Sequence, residues 1–229
     1  MEKISVLLST YNNEDTIGES VNSILNQQGI DLELLICDDG STDSTYQILS
    51  NLEKKDNRLK IIQNVKNIGL TKSLNKLIKI SNGVYIARQD ADDFSLPDRL
   101  KTQLNFLDRY NLDACTTRAI KVQGGGIIPN FSYYVPYRLI VKIKNPFIHG
   151  TLFIRKSVLN KIGNYDEKFK YSQDYKLMSD LIDAKYKIKI INKPLYKLNT
   201  INNISSINKT EQKYYSDCVR KKVEPTFLS

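Results

Sequence analysis

Three carboxylates stand within four residues of the chain, at Asp90, Asp92 and Asp93, directly after the apolar run 84–87. Carboxylates this close repel one another unless a cation lies among them. Hard oxygen ligands suit Mg²⁺ or Mn²⁺, which bind through one or two carboxylates together with the phosphates of a substrate. The cluster therefore predicts a divalent metal and a phosphate-bearing ligand. A second interpretation stays open, in which the acids cap the helix that begins near Pro97.

A second acidic turn follows another predicted strand. Residues 33–37 form a mostly apolar run, and residues 38–43 continue it with the letters DDGSTD. The first strand, at 4–8, ends in a similar way, because the polar residues 9–13 lead from it into a helix. In open α/β sheets, ligands bind beyond the carboxyl ends of the strands. We therefore expect these polar strand ends to meet in one crevice.

Strands alternate with helices through the first half of the chain. Apolar runs bounded by turn residues predict strands at 3–9, 32–37, 59–63, 83–88 and 112–117. Helical periodicity predicts helices near 14–28, 43–54, 70–80 and 97–109. This alternation is typical of a Rossmann-like α/β fold, with a mostly parallel central sheet and helices on both faces.

The pattern changes after residue 118. Residues 119–148 contain three glycines in a row and a stretch rich in Pro, Tyr and Phe, which predicts a hairpin and loop beside the site. The glycines at 124–126 lack the Lys-Ser/Thr pair of a phosphate-binding loop, so they predict a turn. The remaining predicted elements are a helix at 156–162, a helix at 173–183, a strand near 187–191, a flexible flap over 199–208 and a final helix around 207–222.

Length and composition bound the class of protein. A chain of 229 residues can bury a core as one domain, and no apolar run approaches the length of a membrane span. Residues 1–3 lead directly into a strand, so we expect no signal peptide and a cytoplasmic protein. Cys37, Cys115 and Cys218 lie far apart without the spacing of zinc ligands, which predicts reduced structural thiols.

The positive charge is concentrated in the C-terminal part of the chain. The whole chain has 34 basic and 25 acidic residues, a net charge of +9. Residues 184–229 hold ten basic and three acidic residues, which leaves a surplus of seven positive charges. Such a surface attracts anionic lipid headgroups or nucleic acid through charge alone. A solvated basic surface without a partner is the other interpretation, and peripheral contact with the inner face of an anionic membrane is kept as a hypothesis.

The polar segments occur in an order that resembles a known enzyme family. In the first half they read STYN at 9–12, DDGSTD at 38–43, NIGL at 67–70, GVYI at 83–86, DADD at 90–93 and PDRL at 97–100. In the second half they read HGTLFIR at 149–155, GNYDE at 163–167 and SQDYKL at 172–177. This ordered set is similar to the inverting family 2 nucleotide-sugar glycosyltransferases of the GT-A fold, over roughly residues 4–181.

The resemblance implies that the first half of the chain binds a nucleotide diphosphate sugar. It assigns the nucleoside to Thr10, Tyr11, Asn12 and Asp38. An Asp side chain can accept the imide N–H of uracil, which neutral cytosine does not offer, so we expect a UDP-sugar. The neighbouring Asp39 is expected to orient its loop or to cap a helix.

The acidic cluster takes the metal in this interpretation. Asp92 is the first choice of ligand for Mn²⁺ or Mg²⁺, Asp90 is expected to assist through the ribose, a water or the metal, and Asp93 is an alternative ligand. Arg88 is a further candidate for a phosphate or sugar contact, although the family pattern does not fix it. Arg99 is expected to tie its helix to the acidic loop.

The second half of the chain supplies the candidate base. The resemblance assigns this role to Asp174, which stands in a Gln-Asp pair where the family often has Glu-Asp. Six residues later the family often has Arg, and here Asp180 stands there instead, which leaves the tethering of this helix open. His149 is the only histidine of the chain, and both a structural role and a role near the diphosphate stay open.

We therefore predict a single-domain, metal-dependent inverting glycosyltransferase. Residues 1–118 are expected to bind the nucleotide sugar, residues 119–183 the acceptor, and residues 184–229 form a basic extension. The acceptor is expected to be a hydroxyl of a saccharide or lipid-linked saccharide, in the synthesis of a surface polysaccharide or glycolipid. Two alternatives remain. One is a sugar-phosphate nucleotidyltransferase, and the other is an inactive sugar- or nucleic-acid-binding module.

Overall fold

The computed structural model describes residues 2–200 and 209–226, and one sheet of nine strands runs through this part of the chain. The strands are β1 (Ile4–Thr10), β2 (Leu32–Asp38), β3 (Leu59–Gln63), β4 (Tyr85–Asp90), β5 (Phe94–Ser95), β6 (Ala114–Lys121), β7 (Ile127–Ile128), β8 (Phe153–Arg155) and β9 (Ile188–Leu198). The α-helices are α1 (Ile17–Leu25), α2 (Thr45–Glu53), α3 (Leu70–Ile80), α4 (Arg99–Arg109), α5 (Tyr137–Ile140), α6 (Lys156–Lys161), α7 (Gln173–Asp183) and α8 (Lys209–Lys221).

The strands lie in the order β3-β2-β1-β4-β8-β6-β9-β5, and β7 pairs with β6. Neighbouring strands among β1 to β4 are parallel, and so are β6 and β9. β8 lies between β4 and β6 and is antiparallel to both. The predicted mostly parallel sheet is confirmed, and the reversal at β8 is a feature that the sequence pattern did not indicate.

Helices cover both faces of the sheet because successive side chains of a strand point to opposite sides. Ile4, Val6 and Leu8 of β1 pack in a core with residues of α1, α2 and α4. Leu7 packs on the opposite face, in a core with residues of α3, α6, α7 and α8. All four side chains are fully buried, as expected for a strand in the middle of a covered parallel sheet. The predicted two-faced α/β architecture is therefore confirmed.

Two strands differ from the sequence prediction in ways that shape the site. β4 begins at Tyr85 and ends at Asp90, so the first acid of the cluster is the last residue of the strand. β9 does not stop near residue 191 but continues to Leu198, with a shift of its register against β6 after Thr117. The continuation of β9 brings Tyr196 to the backbone of Asp90.

The predicted hairpin after residue 118 is present, with a short second strand. β7 pairs with Ala119 and Ile120 of β6, and Gly124 and Gly125 turn the chain with φ angles of 78° and 67°. These positive φ angles favour glycine, so the predicted glycine turn is confirmed. Most of the flap predicted at 199–208 falls on residues 201–208, which lie outside the described residues. Within the ranges that the structure describes, no helix is long and apolar enough to cross a membrane.

Candidate active site

Three strand ends form one row at an edge of the sheet. The register pairs Thr10 of β1 with Asp38 of β2, and Ser9 of β1 with Asp90 of β4. Parallel neighbours lie about 4.8 Å apart, so the polar loops that follow these residues are adjacent. The polar strand ends therefore meet as the sequence predicted, and the nucleoside candidates lie beside the first residue of the acidic cluster.

The loop after β1 is fixed to the loop after β2 by Asn12. Its backbone N–H donates to Ser41 Oγ at 3.0 Å, and its Oδ1 accepts the Thr42 N–H at 2.8 Å. Its φ of 53° lies in the left-handed region, which Asn adopts more readily than most residues. Thr10 is buried, whereas Tyr11 is 44% exposed. Tyr11 and Asn12 are thus the exposed nucleoside candidates in this loop, and Asn12 holds the loop in place.

Asp38 has an acceptor oxygen that no described residue uses. The side chain is fully buried, and its Oδ2 accepts the Gln63 amide at 2.9 Å. Its Oδ1 is buried without a hydrogen-bond partner among the described residues. Buried acceptors are rarely left unpaired, because each one costs about 1–3 kcal/mol. An N–H donor of a bound base would satisfy this oxygen.

Asp39 performs the loop-orienting role that we expected for it. Its carboxylate accepts the backbone N–H groups of Ile68 and Gly69 at 2.9 and 2.8 Å, just before α3 begins. It also accepts the Asn64 amide at 2.8 Å. Asp39 therefore fixes the segment between β3 and α3, whereas the Oδ1 of Asp38 has no hydrogen-bond partner among the described residues.

Asp90 is held from several sides. Arg88 Nη2 forms an ion pair with Asp90 Oδ1 at 2.5 Å, and the Asp90 N–H donates to Tyr196 Oη at 3.0 Å. The Ser20 hydroxyl donates to the Asp90 carbonyl at 2.8 Å. A Cβ atom built on Gly150 would lie 2.6 Å from Asp90 Oδ2 and would also collide with Tyr196 Oη. Glycine is therefore required at position 150 for this packing.

Asp92 and Asp93 differ in accessibility. Asp93 is buried, and its Oδ1 accepts the Asn199 N–H at 2.7 Å, whereas Asp92 is partly exposed. Burial and the charge of Asp90 raise the pKa of Asp92 to about 6. Burial and the charges of Asp90 and Asp92 also raise the pKa of Asp93. The three carboxylates thus repel one another in the absence of a cation, as the sequence suggested.

The donor set fits a divalent ion that is shared with a diphosphate. Residues 2–200 and 209–226 contain no group of three His, Cys, Asp or Glu side chains arranged to hold a metal by themselves. Mg²⁺ characteristically uses one or two carboxylates and takes its other ligands from phosphate and water. Asp92 is the accessible carboxylate, and one oxygen of Asp90 is already paired with Arg88. Asp93 is turned towards the backbone of β9, which makes it the poorer ligand.

Arg88 occupies a different place from the one that we expected. It was a candidate for a phosphate or sugar contact, but its side chain is fully buried. Its guanidinium donates to the carbonyls of Leu7 and Gln89 at 2.7 and 2.8 Å, in addition to the ion pair with Asp90. Arg88 therefore lies beneath the crevice and fixes Asp90. Arg99 donates to the carbonyls of Arg88 and Gly150 and so ties α4 to this region, as predicted.

His149 is part of the same buried network. Its Nε2 lies 2.7 Å from Tyr165 Oη and accepts a long hydrogen bond from Arg88 Nε at 3.4 Å. Burial and the charge of Arg88 lower the pKa of His149 to about 3, so the ring is neutral at physiological pH. A neutral ring that accepts from Arg88 does not present a positive charge to a diphosphate. These contacts give His149 a structural role in the network, and its role near the diphosphate stays a prediction.

Asp174 stands at the first turn of α7, next to the acidic cluster. Its Oδ2 accepts the Asn145 amide at 2.7 Å. Burial is the main cause that raises the pKa of Asp174, and the nearby charge of Asp90 raises it further. A carboxylate with a raised pKa is a better proton acceptor than an ordinary one. Asp174 is therefore close enough to Asp90 to be affected by its charge, and its role as the base stays a prediction.

The sequence comparison decides the family. The sequence model described as Glycosyl transferase family 2 matches residues 5–163, well over half of the chain. The chain belongs to glycosyltransferase family 2. The match includes the strand ends, the acidic cluster and His149, and it ends before Asp174.

Two curated relatives and one solved structure illustrate this membership. The putative glycosyltransferase EpsE of Bacillus subtilis is 38% identical over 170 residues, which are 71% of this chain and 60% of EpsE. The UDP-Glc:alpha-D-GlcNAc-diphosphoundecaprenol beta-1,3-glucosyltransferase WfaP of Escherichia coli is 37% identical over 108 residues, which are 47% of this chain and 42% of WfaP. The chain thus spans well under two thirds of these relatives.

The fold is that of the family. TarS of S. aureus in complex with UDP superposes with a TM-score of 0.75 and 26% identity, over 95% of this chain and 64% of that chain. This similarity confirms the predicted GT-A fold, including the curled sheet and the helices on both faces. This family 2 enzyme also contains three positioning residues that the sequence did not reveal as such. They are Gln63, Asn145 and Tyr196, which hold Asp38, Asp174 and Asp90.

Replacement of Gly150 by Ala is expected to disturb the packing around Asp90. The new methyl group would overlap Asp90 and Tyr196, and overpacking of this kind costs about 1–3 kcal/mol. We expect a lower free energy of unfolding in urea and a weaker response to UDP with Mn²⁺. Gly18→Ala in α1 is the matched control, because its Cβ would meet only Ile48 at 3.9 Å. A Gly150→Ala variant as stable as Gly18→Ala would contradict the described packing.

Proposed function

We propose that this family 2 enzyme is an inverting, metal-dependent glycosyltransferase that uses a UDP-sugar. The acceptor is a hydroxyl of a saccharide or lipid-linked saccharide, in the synthesis of a surface polysaccharide or glycolipid. The observation that carries the proposal is the row of strand ends, which places Asp38 and Asp90 on either side of the end of β1, with the charge of Asp90 acting on both Asp92 and Asp174. Asp38 offers an unpaired buried oxygen, Asp92 an accessible carboxylate and Asp174 a base beside them.

The donor base is recognised by Asp38. Its Oδ1 is an acceptor, since Gln63 donates to the other oxygen of the same carboxylate. The imide N–H of uracil is a donor at the corresponding edge of the base, and neutral cytosine has no such hydrogen. The likeness to TarS, which was solved with UDP, and to WfaP, whose name gives a UDP-sugar donor, supports the same nucleotide.

Asp92 would hold the metal, with assistance from Asp90. When bound, a divalent ion neutralises the charge that develops on the leaving diphosphate. The protein contributes the position of the two carboxylates, which Arg88 and Tyr196 fix through Asp90. The raised pKa of Asp92, which reflects burial and the charge of Asp90, is consistent with a site that gains stability from a positive charge.

Asp174 acts as the general base. It takes the proton from the acceptor hydroxyl while that oxygen forms a bond to the anomeric carbon and the bond from this carbon to the diphosphate breaks. One displacement of this kind inverts the anomeric configuration and needs no covalent enzyme intermediate. Asn145 donates to Asp174 and so holds the carboxylate in one orientation. The basic tail, residues 184–229, remains a hypothesis for contact with an anionic membrane.

The two alternative functions are less well supported. A sugar-phosphate nucleotidyltransferase usually carries a Gly-rich loop with Arg or Lys after its first strand, whereas residues 9–13 have none of these and are fixed to the next loop through Asn12. An inactive binding module would have no need of Asp92 and Asp174 in one crevice. Salt-dependent binding to nucleic acid is the behaviour that would favour such a module.

UDP and Mn²⁺ together are expected to raise the melting temperature more than the sum of their separate effects. The ion and the diphosphate would complete each other's ligand sets between Asp92 and the nucleotide. At a hundredfold excess over the dissociation constant, a ligand adds about 2.7 kcal/mol, which corresponds to roughly 5–11 °C for a domain of this size. Differential scanning fluorimetry with UDP, CDP, GDP and their sugars, each with and without Mn²⁺ or Mg²⁺, provides the test.

The nucleotide panel also provides the control for base recognition. CDP carries the same diphosphate, so the difference between UDP and CDP reports on recognition of the base. Equal stabilisation by both nucleotides would refute the assignment of Asp38 to the base. Additive effects of UDP and Mn²⁺ would refute the shared metal site.

A further inference from the structure

The segment of residues 130–144 exposes large apolar side chains beside the site. Phe131 is 77% exposed, Tyr134 71%, Leu139 56% and Ile143 67%. Several large apolar groups exposed together on one short segment are typical of an interaction surface. The segment is anchored to the fold, since it contains a 3-10 turn at Phe131–Tyr133 and helix α5.

The helical part of this segment has two apolar faces. Backbone hydrogen bonds continue the helical turns from Pro136 to the N–H of Lys144. Val141 is buried, so one face is part of the core. Leu139 and Ile143 are four residues apart and share the exposed face. The outer apolar face is therefore available in addition to the one that the fold requires.

The charged residues in this part of the sequence have one sign. Residues 114–165 contain no Asp or Glu and eight basic residues, which are Arg118, Lys121, Arg138, Lys142, Lys144, Arg155, Lys156 and Lys161. Arg138, Lys142 and Lys144 lie within the segment itself and are exposed. Exposed apolar side chains interleaved with Lys and Arg are the composition of helices that bind in the interface of anionic membranes.

We propose that residues 130–144 seat the enzyme on an anionic lipid surface. Leu139, Ile143, Phe131 and Tyr134 enter the headgroup region, and the basic side chains contact the lipid phosphates. A second copy of the chain is a poorer occupant, because a symmetric contact would bring Arg138 and Lys142 close to the same residues of the partner copy. Nucleic acid is also poorer, because the aliphatic Leu139 and Ile143 do not stack on bases as aromatic rings do.

The same segment is attached to the candidate base. Asn145 follows it directly and donates to Asp174 at 2.7 Å. The Tyr175 hydroxyl donates to the Val141 carbonyl, and Arg220 donates to the Ile143 carbonyl at 3.0 Å. A lipid surface at residues 130–144 is thus close in the chain to the residue that orients the base. This step rests on the proposed function, and it favours a lipid-linked acceptor whose sugar reaches the crevice from the membrane.

The placement differs from the one suggested by the basic tail. Several charges of the tail region are paired in the structure, where Lys222 contacts Asp183 at 2.8 Å and Arg220 contacts Asp217. Glu224 likewise pairs with Lys168 at 2.6 Å. The segment of residues 130–144 combines three exposed basic residues with four exposed large apolar side chains, whereas in the described part of the tail Val223 is the one large apolar side chain exposed to a similar degree.

Co-sedimentation with lipid vesicles tests the proposal. At low salt the full chain is expected to bind vesicles of phosphatidylcholine mixed equally with phosphatidylglycerol, and to bind pure phosphatidylcholine far more weakly. Arg138→Gln with Lys142→Gln should weaken binding about thirtyfold, because each basic residue near an anionic surface strengthens binding by a factor of roughly five to six and the two factors multiply. Leu139→Ser with Ile143→Ser should weaken binding about tenfold or more.

Matched control variants remove basic and apolar side chains from other parts of the chain. Lys193→Gln with Lys213→Gln takes two exposed charges from the tail, and Val65→Ser takes an exposed apolar group from another loop. Both are expected to bind vesicles within about threefold of the wild type. If the tail variant loses binding while both variants of residues 130–144 retain it, the proposal is wrong and the tail is the membrane contact.

Two further measurements identify other occupants. The first measurement is binding to a single-stranded oligonucleotide. The lipid assignment would be overturned in favour of nucleic acid if the double variant Arg138→Gln with Lys142→Gln abolishes this binding while Leu139→Ser with Ile143→Ser leaves it intact. The second measurement is sedimentation velocity. The lipid assignment would be overturned in favour of a second copy if the chain forms a dimer that the double variant Leu139→Ser with Ile143→Ser dissociates. Each variant is also melted with UDP and Mn²⁺. If UDP and Mn²⁺ stabilise the wild type but the wild type does not bind vesicles, only the membrane inference is contradicted. If UDP and Mn²⁺ do not stabilise the wild type, the proposed function is contradicted.

Discussion

Asp174→Asn is expected to lower the turnover number by a factor of about a hundred to ten thousand while the dissociation constant of UDP stays within about twofold. The substitution keeps the shape of the side chain and removes its basicity, and general-base catalysis typically contributes a factor of this size. In the proposed mechanism Asp174 would contact the acceptor hydroxyl, whereas Asp38 and Asp92 would hold the donor. Transfer measured with a saturating donor, together with calorimetric titration of UDP, separates the two quantities.

The pH profile adds a second readout to the same variant. Burial, with the charge of Asp90 in addition, raises the pKa of Asp174. The base must be deprotonated to act, so kcat/KM of the wild type should increase with pH through a value above the usual range of an aspartate. Asp174→Asn should lack this dependence.

Asp180→Asn provides the matched control on the same helix, because Asp180 pairs with Lys176 on α7. We expect its transfer rate to stay close to that of the wild type. Transfer by Asp174→Asn within a few-fold of the wild type would remove Asp174 from the mechanism. A large loss in Asp180→Asn, or in Asp166→Asn, would then point to that residue as the base.

The parts of the fold that the sequence predicted well depend on local patterns. β2 and β3 were predicted almost to the residue, because each is an apolar run bounded by turn residues. α3 and α7 match the predicted bounds for the same reason, since their apolar residues recur at helical spacing. The row of polar strand ends followed from these strands and from the general behaviour of parallel sheets.

The parts that the sequence did not predict depend on contacts between distant residues. Tyr196 is 106 residues from Asp90, and the paired residues of β4 and β8 are about 70 residues apart. β5 and β8 have two and three residues, too few for a periodic pattern. Gln63 could have been found, because it ends the predicted strand at 59–63 and the parallel register places it beside Asp38.

Arg88 shows why charge in the sequence does not establish a ligand contact. Because Arg88 stands two residues before Asp90, the sequence predicts an exposed cation at the end of a strand. Its burial became favourable only because the Leu7 carbonyl, Asp90 and His149 were available to pair its N–H groups. These partners come from three different segments, so no local pattern contained the information.

Asp92→Asn is expected to act in opposite directions on the metal-free protein and on its metal complex. In the metal-free protein, Asp92 carries a charge that burial and Asp90 disfavour, and its pKa of about 6 exceeds the unfolded value of 3.8. The folded state therefore binds more protons than the unfolded state between these values, and stability falls as pH rises from about 4 to 6. Asn removes this cost, so we expect a gain on the order of 1 kcal/mol at pH 8 after solvent screening.

The same substitution should abolish the extra stabilisation that Mn²⁺ gives in the presence of UDP and lower transfer by about a hundredfold or more, since it removes the accessible carboxylate from the proposed ion. Asp98→Asn is the control, because Asp98 is an exposed acid six residues away whose φ of 63° Asn tolerates. Urea unfolding with a chelator measures the first effect, and melting with UDP and Mn²⁺ measures the second. A general loss of stability would lower both together, so only a gain in the first with a loss in the second supports Asp92 as the metal ligand.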